Sequence, residues 1–189
     1  TKRMAEAVAV GAGAELLAID AEGNLPAGGW ESLAASDAII MGSPTYMGSV
    51  SWQFKKFADA SSKPWFSQQW KDKLFAGFTN SASMNGDKLS TLHYLFTLAM
   101  QHSGLWVGMG LMPANNKAAT RDSINYVASF AGLMTATPSD ASAAEMVSKG
   151  LCSILASDYY YPAPLLAAFL LAADNVLPLP RAWSLISGA

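Results

Sequence analysis

A chain of 189 residues with 51% apolar residues is long enough for one domain with a sizeable core. Its 12 basic and 14 acidic residues leave a net charge of −2, so no basic stripe points to nucleic acid or to an anionic membrane surface. The single Cys152 excludes an internal disulfide, no His/Cys cluster has metal-ligand spacing, and a cytoplasmic location is expected, since a reducing cytoplasm fits, although a cysteine-poor chain is compatible with any compartment.

Thr1 to Val10 opens as if already inside a helix, with Met4 and Val8 on one face, and it shows neither an initiator Met nor a signal-peptide pattern. A doubly wound domain needs a central first strand, so the chain is expected to be an N-terminally truncated piece that starts after it. Glu15 to Asp20 is expected as an outer strand, Gly23 to Gly29 as loop and Trp30 to Ser36 as a short helix. Ala38 to Met41 suits a strand covered on both faces, and Gly42, Pro44 and Gly48 bend the chain at its carboxyl end. Ligands of open α/β sheets bind at that edge.

Ser51 to Ala60 carries Trp52, Phe54, Phe57 and Ala58 at helical spacing, and Ser61 to Pro64 is expected to stop it. Leu74 to Thr79 reads as a strand. Lys88 to His102 reads as a helix whose broad buried face takes in Leu89, Leu92, Leu95, Phe96, Leu98 and Ala99, ended by Ser103 and Gly104. Leu105 to Gly110 is the next strand, and Met112 to Val127 is a polar excursion of a length that tends to be functional or mobile. Ser129 to Thr135 returns as an apolar segment, and Pro138 to Ser142 opens a further helix. The βαβαβ alternation argues for a parallel sheet with right-handed crossovers.

The loop after Met41 offers backbone N–H groups, the Ser43 and Thr45 hydroxyls and the flat face of Tyr46, with neither Lys nor Arg within it. A planar heteroaromatic ring fits that chemistry and a phosphate does not; the alternative is an ordinary βα turn. Thr79, Asn80, Ser81, Ser83 and Asn85 crowd a second loop with small donors, and His102 closes a helix, where interaction with the helix dipole is the plain alternative to a ligand role. No Gly-x-Ser-x-Gly elbow or Gly-x-Gly-x-x-Gly fingerprint is present.

Gly42-Ser-Pro-Thr-Tyr-Met-Gly48 with Gln53 and Phe54, Phe78-Thr-Asn-Ser-Ala-Ser-Met-Asn-Gly86, and Met100-Gln-His-Ser-Gly104 together resemble the flavodoxin-like FMN proteins, closest to WrbA-type NAD(P)H:quinone oxidoreductases and the related NADPH-dependent FMN reductases. The resemblance covers residues 1–149 and implies a flavodoxin-like α/β fold, a doubly wound parallel sheet of order 2-1-3-4-5, with the first strand and phosphate loop missing from this chain. It implies FMN as cofactor, held by Ser43, Pro44, Thr45, Tyr46, Met47, Gly48, Thr79, Asn80, Ser81, Ala82, Ser83, Asn85 and Gly86, with Thr1 as the last residue of the phosphate loop. His102 is expected to approach the flavin ring as the catalytic side chain.

The implied activity is two-electron reduction of a quinone or similar small acceptor by NAD(P)H; the alternatives are a one-electron carrier that docks redox partners and an inactive truncated remnant. A homo-oligomer is left open. Residues 150–189 form a divergent apolar tail in which Tyr159 to Pro164 interrupts the expected final helix. Its apolar run Pro164 to Ala173 is shorter than the roughly 20 residues that span a bilayer, so a buried or surface-adsorbed helix is expected rather than a transmembrane one, with a misjoined tail as the third reading.

Overall fold

The computed structural model describes residues 1–141. Strand β1 (Ala38–Pro44) and strand β2 (Leu74–Ser81) pair in parallel over their whole length, from Ala38 beside Leu74 to Pro44 beside Asn80. The other edge of β2 is shared by two short parallel strands. β3 (Leu105–Trp106) lies beside Leu74 and Phe75, and β4 (Leu133–Ala136) lies beside Phe78 to Ser81.

Side chains alternate across this sheet because successive Cβ atoms point to opposite faces. Ile39, Met41 and Phe75 face a core shared with helix α2 (Gly29–Ala35), helix α3 (Trp52–Ala60) and helix α5 (Lys88–Gln101). Phe78 and Leu133 face the opposite side, where Met4 and Val8 of helix α1 (Lys2–Ala12) pack. Three layers result, helices on both faces of a parallel sheet. Gly42 is essential to one of them: a Cβ there would stand 1.9 Å from Cζ of Phe78, so the Phe78 ring occupies the space that any other residue would need.

Several expectations fail, each for a physical reason. Segment 15–20 forms no strand, because no described strand runs alongside it; its end is instead a tight turn in which Asp20 Oδ1 accepts from the backbone N–H groups of Glu22 and Asn24. Ser61 does end α3 after Ala60, as expected; what the sequence did not show is that Ser61, itself in helical geometry, at once opens a separate short helix, α4 (Ser62–Phe66), whose early turn tolerates Pro64.

The strand expected over Leu105 to Gly110 keeps only two residues in the sheet. Past Val107 the backbone turns to Phe130, whose carbonyl accepts from Met109 N–H at 2.8 Å, and β4 takes the vacated stretch of β2. Leu89 and Phe96, expected on the buried face of α5, are 48% and 42% exposed; Phe96 instead meets Trp106 edge-on at 5.9 Å. The helix expected after Pro138 and the whole tail from residue 150 lie outside the described residues.

Candidate functional site

Parallel strands deliver their carboxyl ends to one edge, and two of the motif loops leave β1 and β2 there side by side. After Thr45, whose N–H continues the ladder to the Asn80 carbonyl at 2.9 Å, residues 46–49 close a tight turn. Tyr46 and Ser49 exchange both backbone hydrogen bonds, and Met47 (φ 48°) and Gly48 (φ 76°) occupy left-handed geometry between them. That is the two-residue turn in which both central residues need positive φ. It thrusts Tyr46, 64% exposed, and Met47, fully exposed, out from the edge.

The hydroxyls beneath this turn are consumed internally, which corrects their expected role as ligand donors. Ser43 Oγ donates to the Pro44 carbonyl and accepts from Ser51 N–H, stapling the two ends of the loop. Thr45 Oγ1 shares hydrogen bonds of 2.8 Å with both Thr79 Oγ1 and Thr91 Oγ1, and all three side chains are buried. The hub ties β1, β2 and α5 at the base of both loops. Thr91 carries no motif signal that sequence reasoning could have used.

The second loop, 82–86, projects Ala82, Ser83, Met84 and Asn85 to solvent. Asn80 and Ser81 turn inward. Asn80 Oδ1 accepts from the Thr135 and Thr137 hydroxyls, and Ser81 Oγ donates to the Ser83 carbonyl. Gly86 (φ 55°) has no room for a side chain, since a Cβ would stand 2.4 Å from Ser81 Oγ.

Lys88, which sequence reasoning passed over as an ordinary helix residue, is fully buried under this loop. Its Nζ donates to Ser81 Oγ at 2.9 Å and to the carbonyls of Ser83 and Met84 at 2.6 and 2.9 Å. Burial, with the Arg121 charge nearby, pulls its ammonium below the ordinary lysine pKa.

Thr1 stands at the N-terminus of α1, where its carbonyl accepts from Ala5 N–H and the first turn holds no acidic residue. The first turn packs toward the same edge, since Thr135 Oγ1 reaches Met4 Sδ at 3.4 Å. The N-terminus of a helix favours an anion. The excursion between β3 and β4 is clipped by Asn125, buried at φ 51°, whose side chain donates to the Leu111 and Ser129 carbonyls and accepts from Ser129 N–H.

His102 is not part of this edge. Helix α5 starts at the carboxyl edge and its 14 residues carry the chain about 21 Å back, so His102 lies where β2 and β3 begin. The expectation failed because a helix that follows a parallel strand runs antiparallel to it, so its last residue must reach the amino edge. There the ring packs against Trp70, with centroids 4.3 Å apart and planes tilted by 37°, and Nε2 is 2.9 Å from Ser61 Oγ. Ser61 Oγ already donates to the Ala58 carbonyl, so Nε2 must carry the proton that bonds it, and the buried Nδ1 is left without a partner. Burial lowers the pKa of His102 to about 4. The imidazole is neutral at pH 7. Among the described residues no three His, Cys, Asp or Glu side chains gather as a metal site, and no helix is long and apolar enough to cross a membrane.

This geometry agrees with known proteins. The flavodoxin FldP of Pseudomonas aeruginosa is 55% identical over 76% of this chain and 78% of its own. This chain belongs to the flavodoxin-like, WrbA-type FMN proteins. The NADPH-dependent FMN reductase family profile matches residues 30–120, which hold both carboxyl-edge loops. An NAD(P)H dehydrogenase (quinone) of Geotalea uraniireducens is 31% identical over 82% of this chain and 91% of its own length. Among solved structures, a flavodoxin, WrbA-like protein from Agrobacterium tumefaciens superposes with a TM-score of 0.60 at 54% identity, covering 81% of this chain and 82% of that one.

Proposed function

We propose that the chain binds FMN across the carboxyl edge and uses it to pass reducing equivalents from NAD(P)H to a quinone or similar small acceptor. The observation that carries the reading is the pairing of two outward-facing loops on adjacent strands, the Tyr46–Met47 turn and the 82–86 loop, in a chain of this family. The residues present fit the group. An aromatic face and a thioether stand exposed on one side, small exposed residues on the other, and the hydroxyls below are occupied in holding both loops still. Sulfur and aromatic groups suit a polarizable ring.

When bound, the flavin supplies the electron transfer itself, and the protein supplies orientation and electrostatics. Tyr46, Met47 and residues 82–86 would hold the ring, and the N-terminal turn of α1 at Thr1 would receive the phosphate. No side chain need act as a nucleophile.

The reading of a one-electron carrier is favoured by one finding, the 55% identity to a protein named a flavodoxin. Stopped-flow absorbance of the FMN-loaded protein separates the two. Reduction by NADH or NADPH followed by reoxidation with a benzoquinone is expected; a flavin that only dithionite reduces assigns the carrier role. A protein that leaves FMN fluorescence unquenched on titration removes both.

A further inference from the structure

Lys88 is a full positive charge built into the floor of a loop that otherwise offers only neutral groups. All three of its ammonium hydrogens find acceptors, and every acceptor belongs to residues 81–84. Among the described residues it has no carboxylate partner: the ion pairs there are Arg3 with Glu6 and Lys55 with Asp59. The charged group facing it is Arg121, a second cation. Drawing the Ser83 and Met84 carbonyls inward onto Nζ commits the polarity of the loop, because successive peptide units that turn their oxygens down leave their N–H groups free to face outward.

We propose that Lys88 is the positioning residue of this site, holding loop 81–86 in its ligand-ready form, and that its charge biases the site toward the reduced flavin. The second half rests on the FMN reading above. A flavin that takes up two electrons and one proton carries an extra negative charge on its ring, and charge near that ring is a lever the protein holds on its potential. A buried cation acts through a weakly screened path, whereas a surface lysine at the same separation acts through water. His102 cannot take this part within the chain, being neutral and at the opposite edge.

The experiment uses the whole chain and the variants Lys88→Met, of similar length and neutral, and Lys88→Arg. Amide hydrogen exchange without ligand reads the loop. Residues 82–86 are expected to exchange about tenfold faster in Lys88→Met and near wild type in Lys88→Arg, with α5 unchanged in all three; equal rates in the Met variant overturn the positioning role.

FMN dissociation constants are then measured by fluorescence for the oxidised flavin and, with dithionite as the electron source, for the reduced flavin. Lys88→Met is expected to weaken the reduced form about tenfold more than the oxidised form, equivalent to a fall of about 30 mV in the two-electron potential. Equal weakening of both forms overturns the charge role and leaves the FMN reading standing. No binding by wild type overturns the FMN reading and the charge role together, while the exchange result still judges the positioning role.

Discussion

The two edges of the sheet treat buried polar groups in opposite ways. At the carboxyl edge Ser43, Thr45, Thr79, Thr91, Asn80 and Lys88 are all hydrogen-bonded to neighbouring side chains or to backbone, and the groups left facing outward are Tyr46, Met47 and residues 82–85. At the amino edge Trp70 Nε1 and His102 Nδ1 are buried without partners, inside a stack that joins Trp30, Phe57, Trp70 and His102. An orphaned polar atom costs about 1–3 kcal/mol, while each large ring removes roughly 150–250 Å² from water. Ring burial outweighs polar satisfaction where nothing but packing is asked of the edge. Where loops must hold one shape, no buried side-chain polar atom among the described residues is left without a partner.

The contrast breaks most severely at Gly42, which lets the Phe78 ring close the α1 side of β1. Gly42→Ala places a methyl inside that ring and should cost about 3 kcal/mol or more, read as a lower urea midpoint with an unchanged m-value. The hydroxyl hub comes next. Thr45→Val leaves Thr79 and Thr91 short of a partner and should cost about 2 kcal/mol, whereas Thr45→Ser, which restores the oxygen, should recover most of it; equal losses in the two variants would deny the hub its role.

At the amino edge the test is pH. Burial holds His102 at about 4, below its ordinary 6.5, so the native state refuses a proton that the unfolded chain accepts. Its contribution is full above about pH 6.5 and is lost as pH falls toward 4, amounting to about 3 kcal/mol. His102→Gln keeps a donor for Ser61 and does not titrate. Urea midpoints of the two proteins at pH 7 and pH 4.5 should therefore converge toward acid, and parallel curves would remove His102 from the pH dependence.

The smallest effects lie in the exposed turn. Gly48→Ala should cost about 1 kcal/mol for a side chain at φ 76°, while Met47→Asn, better suited to left-handed geometry, should be neutral or stabilising by about 0.5 kcal/mol in thermal melts. On the proposed FMN reading, the Asn variant should still weaken FMN, because it would no longer offer a thioether to the ring.

Local chemistry made much of the architecture legible before any coordinates. Apolar runs at 38–41 and 74–79 suited buried strands, and the spacing of Phe54, Phe57, Leu92 and Leu95 set two helix faces; the Ser51 Oγ that caps α3 by accepting from Phe54 N–H came only with the structure. The spaced motifs carried the family. The expected strand at 15–20, in contrast, depended on a partner, and a strand exists only through hydrogen bonds to another segment.

Roles within the site were decided by long-range geometry that no local pattern encodes. Whether a threonine hydroxyl faces a ligand or its own fold depends on what arrives 34 and 46 residues later, as it does for Thr45 with Thr79 and Thr91. Whether a helix-terminal histidine serves the working edge depends on helix direction, which moved His102 to the far side of the sheet. A lysine in a helical run reads as solvated until a loop folds over it. Lys88 became a buried charge only because residues 81–84 turn their oxygens inward, a choice the backbone makes in three dimensions.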